Sequence, residues 1–325
     1  MFVKENLGRI ASRAVAGLVA VAALASCGGG TYQVSAFTPA RILTFGDESN
    51  SLSTRQGLKY SVNGVSTSTD LIDCSLNPLW TQVLATSYNL VYSNCNVEAV
   101  ASPNAIDMST LNATVDDTAN QVAAFLAGDT FNGNDLVTIW VGAHDVLNDY
   151  AENGSGDQTS LVNDMRASGQ SLASLVNSIV ATGAKVILLT IPDMGDSPYA
   201  YAEQQRGDFD RQALLSKMSD GFNLALRTNI VNDGSKIGLV LVDDFVHNAV
   251  SSPGSYGLIS SPNETAGCEA DAPLPTCTDQ TIVTDSGKNS NATDIYLWAD
   301  ATHLAPTAHL QIGNQADSRA HSNPF

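Results

Sequence analysis

Basic residues are scarce in this chain of 325 residues, where 15 Lys and Arg stand against 33 Asp and Glu for a formal charge of −18 at pH 7. No run of Lys or Arg gathers the few cations into a patch. A phosphate-binding groove needs clustered cations, so nucleic acid is excluded as an expected partner. Long apolar runs are also missing. The run from Ala14 to Leu24 covers about half of the roughly 20 residues that a membrane-spanning helix requires. Cysteine is sparse, at 5, with no Cys-x-x-Cys pair and no neighbouring His, which argues against a zinc-ribbon type of site. No Gly-rich phosphate cradle follows the first apolar run, and no internal repeat is visible. With 43% hydrophobic and 15% charged residues, a chain of this length buries roughly 75% of its unfolded surface. Extensive disorder and a disulfide-scaffold miniprotein are thereby excluded.

The first segment reads as an address. Lys4, Arg9 and Arg13 precede the run Ala14 to Leu24, the charged-then-apolar layout of a secretory signal. Leu24-Ala25-Ser26-Cys27, followed by Gly28, Gly29 and Gly30, is similar to the bacterial lipobox, in which the Cys becomes the lipidated first residue. That likeness implies a lipoprotein signal peptide over 1–26, a flexible tether over 27–39 and a single domain over 40–325. Gly after the Cys, in place of Asp, implies delivery to the outer membrane. Loss of 1–26 removes Lys4, Arg9 and Arg13 but only Glu5 among the acids, so the mature chain is still more acidic. The acyl chain on Cys27 is then the expected membrane attachment, without a broad electrostatic face. Cys74, Cys95, Cys268 and Cys277 remain, an even number that reads as disulfides in an exported chain. Of the three connectivities, Cys74 with Cys95 and Cys268 with Cys277 closes the shortest loops.

From Arg41 onward, short apolar runs alternate with helical patterns, the signature of a parallel sheet covered by helices. Strands are expected at Arg41 to Phe45, Leu90 to Ser93, Leu136 to Val141, Lys185 to Thr190 and Ile237 to Val242. Helices are expected near Pro78 to Tyr88, Val115 to Ala127, Leu161 to Thr182, Arg211 to Asn229 and Thr307 to Ala320. Leu161, Met165, Leu172, Leu175, Val176 and Ile179 recur at three-, four- and seven-residue spacings and mark one buried face. The stretch at about 251–290, rich in Ser, Pro, Gly, Asn, Asp and Thr, reads as a surface insertion pinned by Cys268 and Cys277. The fold class is α/β, with one doubly wound domain.

In such a sheet ligands sit beyond the carboxyl ends of the strands. The residues there are polar: Gly46-Asp47-Glu48-Ser49-Asn50-Ser51, Gly142-Ala143-His144-Asp145, Pro192-Asp193, Asp243-Asp244 and, before the last helix, Asp300-Ala301-Thr302-His303. Asp300 and His303, three apart on one turn, allow a carboxylate to bond the near ring nitrogen and leave the far one as a base. A Ser hydroxyl needs such a base to attack an ester, and Ser49 lies in the nearest loop. His247, His309 and His321 read as surface or core residues. Asp193, Asp243 and Asp244 read as solvated loop ends, so no metal site is expected.

These loops resemble the blocks of the GDSL, or SGNH, hydrolase family, in particular its bacterial phospholipase, lecithinase and haemolysin-like branch. Phe45-Gly46-Asp47 matches part of the first block, Gly142-Ala143-His144-Asp145 the third, and Asp300 to His303 the last, and the likeness runs from about Arg41 to Ala320. It implies a three-layer α/β/α sandwich with a five-stranded parallel sheet in flavodoxin-like order, and ester hydrolysis by Ser, His and Asp without a cofactor. It assigns Ser49 as nucleophile with Ser51 as the alternative, His303 as base and Asp300 as its orienting partner. Asn104, near the second block, and His144, where the third block has Asn, are the implied oxyanion donors. A lipid or small-molecule ester is the implied substrate. In the family Ser directly follows Gly-Asp, whereas Glu48 holds that place here. A Ser oxygen on His303 is the expected arrangement of an enzyme. Glu48 on His303 is that of a catalytically impaired lipid- or glycan-binding lipoprotein.

Overall fold

The computed structural model describes residues 36–53, 57–283, 292–322 and 325, and a compact unit spans Phe37–Phe325. The signal segment, Cys27, most of the 27–39 tether and the end of the insertion lie outside the described residues. Five strands form one parallel sheet: β1 (Arg41–Gly46), β2 (Ala105–Asp107), β3 (Asp135–Trp140), β4 (Lys185–Leu189) and β5 (Ile237–Val240). Their order is β2-β1-β3-β4-β5. The helices are α1 (Trp80–Ser87), α2 (Val115–Leu126), α3 (Ala143–Asn153), α4 (Gln158–Val180), α5 (Pro198–Gln204), α6 (Arg211–Asn229), α7 (Val242–Ser251) and α8 (Pro306–Ser322).

Alternate side chains of the sheet feed two cores. Leu43, Phe45, Val137, Ile139, Val186 and Leu188 pack with α2, α3, α4 and α6, and Ile42, Leu136, Trp140, Ile187 and Leu189 pack with α1, α7 and α8. Coverage of both faces explains why the central strands read as unbroken apolar runs. The architecture is therefore the three-layer α/β/α sandwich. Local sequence sets several helix starts: Thr114 accepts from Asp117 N–H while Asp117 bonds back, and Asp157, Ser197 and Asp210 each accept a first-turn N–H.

The second strand is not Leu90 to Ser93. Leu90 and Tyr92 are buried, and Tyr92 forms an isolated parallel bridge to Ala105, but the edge strand is Ala105–Asp107. Three residues that include one Asp carry no readable alternation, and brief edge strands are common. Helices α3, α5 and α7 were also not expected from the pattern. In α3 Val146 and Tyr150 are buried amid Asp, Asn and Glu, so its stripe is too thin to stand out from a loop. β5 stops before Val242 because the Thr190 hydroxyl accepts the Val242 N–H at 2.8 Å and turns the chain into α7.

Both disulfides, Cys74–Cys95 and Cys268–Cys277, are formed. The described part of the insertion clasps the β1–α1 loop. Asn63 pairs with Thr278 in a parallel bridge and donates through Nδ2 to Pro275 O at 2.8 Å. Val62, Cys277, Ile282, Tyr296, Ala299 and Ala305 make a small third core beneath this clasp.

Candidate active site

The sheet order places β1 between β2 and β3, so connections leave β1 and β3 in opposite directions and open a crevice at their carboxyl ends. Two glycines shape it. Gly46 has φ 129°, and a Cβ there would lie 2.0 Å from the Trp140 carbonyl oxygen. Gly142 has φ 123°, and its Cβ would meet the Phe222 ring at 2.3 Å. Neither position accepts a side chain without displacement. Gly46 lets the 47–50 turn fold against β3, and Gly142 starts α3 so that His144 sits in its first turn. Buried Asn50 locks the turn, donating to Trp140 O at 2.8 Å and accepting from Trp80 Nε1 at 3.1 Å.

Glu48 is the centre of what this turn presents. It is 2% exposed. Its Oε1 accepts from His144 Nε2 at 2.6 Å and from His303 Nε2 at 2.8 Å, and its Oε2 accepts the Asn112 N–H at 2.7 Å. His303 Nδ1 donates to Asp300 at 2.9 Å, while Asp300 Oδ1 also accepts the N–H groups of Thr302 and His303. The Tyr60 ring lies 5.8 Å from that of His303. The structure thus brings Asp300, His303, Glu48 and His144 into one continuous chain of contacts.

Burial opposes every charge here, and the contacts outweigh it in most cases. His303 is raised to about 10: burial disfavours its charged ring, but Asp300 and Glu48 bond both nitrogens. His144 is raised for the same reason by Glu48. Glu48 resists burial through the two imidazoles and stays far below the usual carboxylate range. Asp300 is held low by His303 against its own burial. Asp47 shows the opposite balance, pushed up to about 7 by burial and by the charge of Glu48. At neutral pH the site holds an ionised Glu48 against a cationic His303.

The serines expected to attack stand elsewhere. The Ser49 hydroxyl and N–H both turn to Asp47, and the Ser51 hydroxyl turns to Asp107. His303 Nε2 therefore faces Glu48, because the residue directly after Asp47 points into the crevice and the next one turns back. Asn104 is not an oxyanion donor in this arrangement. It precedes β2, at the amino end of the sheet, and its Nδ2 donates to Ala40 O at 3.2 Å. The segment that does reach the crevice follows β2, where the Asn112 N–H holds Glu48. Asn112 has φ 55°, a backbone donor that no side-chain motif announces. Asp243 is committed to Arg227 and Thr190, Asp193 caps Gly195, and Asp244 is exposed. His247 lies 3.3 Å from Asp196 on the surface, and His321 stacks on Tyr88.

No family model matches the chain. A curated relative, a phosphatidylcholine-sterol acyltransferase of Aeromonas hydrophila, is 26% identical over 200 residues, covering 59% of this chain and 55% of its own. The chain thus spans about half the length of that relative. Among solved structures, it is similar to a member of the lipolytic protein G-D-S-L family from Veillonella parvula, with 10% identity, a TM-score of 0.41, and 85% and 95% of the two chains covered. It is also similar to TesA, with 16% identity, a TM-score of 0.38, and 85% and 94% covered.

Proposed function

We infer, from the resemblance to the GDSL/SGNH hydrolases, that the chain acts on carboxylic esters, hydrolysing them or passing the acyl group to another alcohol. In this reading it works as a lipid-anchored protein of the bacterial envelope, held in the outer membrane through Cys27. The observation that carries the reading is the Asp300–His303 pair at the carboxyl edge of the sheet, where ligands of this fold class bind. The acyl-transferring relative supports the reaction class, and the lipobox supports the location.

Glu48, and not Ser49, then stands at the reacting position. An attacking water or alcohol gives its proton to Glu48 Oε1 as its oxygen bonds the acyl carbon. His144 Nε2–H, released from Glu48 Oε1 as that oxygen takes the proton, turns to the developing oxyanion. The departing alkoxide takes the Nε2 proton of His303, and the proton on Glu48 returns to His303 across their 2.8 Å contact. Asp300 keeps the ring oriented throughout. Since Glu48 is held strongly acidic, it is a weak base, and turnover is expected to be slow.

The test is an assay of the purified chain on short- and long-chain acyl esters. Glu48→Gln and His303→Ala are expected to lose at least about 100-fold in kcat, with Ser49→Ala and Ser51→Ala near wild type. Loss in Ser49→Ala together with His303→Ala would instead restore the Ser49, His303 and Asp300 order. Equal residual activity in all variants removes the catalytic reading. A second reading, a catalytically impaired lipid- or glycan-binding lipoprotein, is favoured by one observation: Glu48 already occupies His303 Nε2. Saturable ligand binding without turnover distinguishes it.

A further inference from the structure

We propose that Glu48, His144 and His303 form a binding site for a divalent first-row cation, Zn2+ by donor type. Each residue comes from a different connection, after β1, after β3 and before α8, and each brings one donor atom into the same cluster. Glu48 Oε1, His144 Nε2 and His303 Nε2 all lie within 4.8 Å of one another. Two imidazole nitrogens and one carboxylate oxygen are a donor set that suits Zn2+, with a further position left for water.

The surroundings match what such ligands need. A metal-bound His ordinarily donates its other ring N–H to a carboxylate, and His303 Nδ1 does so to Asp300 at 2.9 Å. Asp300 is itself fixed by the N–H groups of Thr302 and His303. With Nδ1–H committed there, the cation displaces the Nε2 proton that His303 now gives to Glu48, and the freed Nε2 lone pair becomes the ligand. The Asn112 N–H anchors Glu48 Oε2 and leaves Oε1 turned to the two rings. Ligand bonds of about 2.0–2.1 Å in a tetrahedron separate donors by roughly 3.3 Å. The present 2.6 and 2.8 Å contacts need to open by roughly half an ångström, a small side-chain rotation at the rim, where both rings are about 15% exposed. Asp193, Asp196 and His247 also gather donor atoms, but the His247 side chain is 67% exposed and Asp193 already caps Gly195, so that group serves as the control.

The proposal concerns what the site holds: a bound cation takes the Glu48 and imidazole atoms that the ester reaction uses, so the loaded site and the reacting site are alternative states, measured separately. The full chain is stripped with a chelator, equilibrated with Zn2+ alone, desalted and analysed for metal content, and affinity is read by competition with a chromophoric chelator. Wild type and His247→Ala are expected to retain one equivalent. Glu48→Gln, isosteric and folded by circular dichroism, and His144→Ala are expected to bind at least 100-fold more weakly, and Asp300→Asn about 10- to 100-fold more weakly. Co2+ in place of Zn2+ is expected to give a visible absorption that His144→Ala abolishes. Failure of wild type to retain Zn2+, or equal retention in Glu48→Gln and His144→Ala, overturns the proposal. Because no ester enters the measurement, its outcome is separate from that of the activity assay.

Discussion

His309 sits where an imidazole is least at home. It is 1% exposed, edge-on to Trp140 with ring centroids 6.1 Å apart, and neither ring nitrogen has a hydrogen-bond partner among the described residues. Burial, helped by the charges of Lys59 and His303, lowers its pKa to about 3. The unfolded chain takes up this proton near 6.5 and the folded chain does not. The contribution to stability is therefore complete above about 6.5 and is lost progressively as pH falls toward 3. His309→Leu, similar in volume, is expected to narrow the fall in urea midpoint between pH 7 and pH 4 relative to wild type. An identical fall in both proteins would contradict this. The place of Glu48 in the first block is visible in the sequence, and so is the Asp300 to His303 spacing. The direction of the Glu48 side chain is not, because that depends on Gly46 and Asn50 in one segment closing the turn against Trp140 in another.

Among the elements, the β1–α1 loop is held by a covalent tie. Cys74–Cys95 links this loop to the segment before β2 and encloses 21 residues of separation. In the chain-entropy account such a closure stabilises by about 3 kcal/mol, chiefly through the unfolded state. The paired variant Cys74→Ser/Cys95→Ser is expected to lose about that much in denaturant unfolding, with little change in the far-ultraviolet spectrum. Buried Lys59, whose Nζ donates to the carbonyl of Cys74 at 3.0 Å, is expected to make the loss larger if the loop loosens. Periodicity located the elements unevenly. α4 was legible because Leu161, Met165, Leu172, Val176 and Ile179 form a long stripe, all of them buried. α3 and β2 were not, since two buried residues in one and three residues in the other fall below what spacing can register.

On the scale of the molecule, charge is the outstanding imbalance. The described cations are largely engaged locally: Arg41 with Asp129 and Asp135, Arg211 with Glu203 and Asp208, Arg227 with Asp243. The surplus of acids repels itself across the surface, and salt screens that repulsion within a Debye length of about 10 Å at 0.1 M. Raising NaCl from about 10 mM to about 0.5 M is expected to raise Tm by a few degrees, followed by differential scanning calorimetry. A falling Tm would show that attractive pairs dominate instead. The fold class was legible because alternation of strands and helices is a property of the whole sequence. The site is legible only when the three connections are brought together.

Glu48 and His144 are 96 positions apart, and Glu48 and His303 are 255 apart. Any chain emerging amino end first must carry a carboxylate in the 47–50 turn long before either imidazole exists to meet it. Until then the crevice has only the Asn112 N–H to draw that acid from water. The last turn before α8 is thus a closing step: its His303 completes the neighbourhood that lets Glu48 leave solvent. Truncation before Asp300 should leave the first turn unsealed on that side even where the sheet forms, so the burial of Glu48 reports on residues as distant as His303.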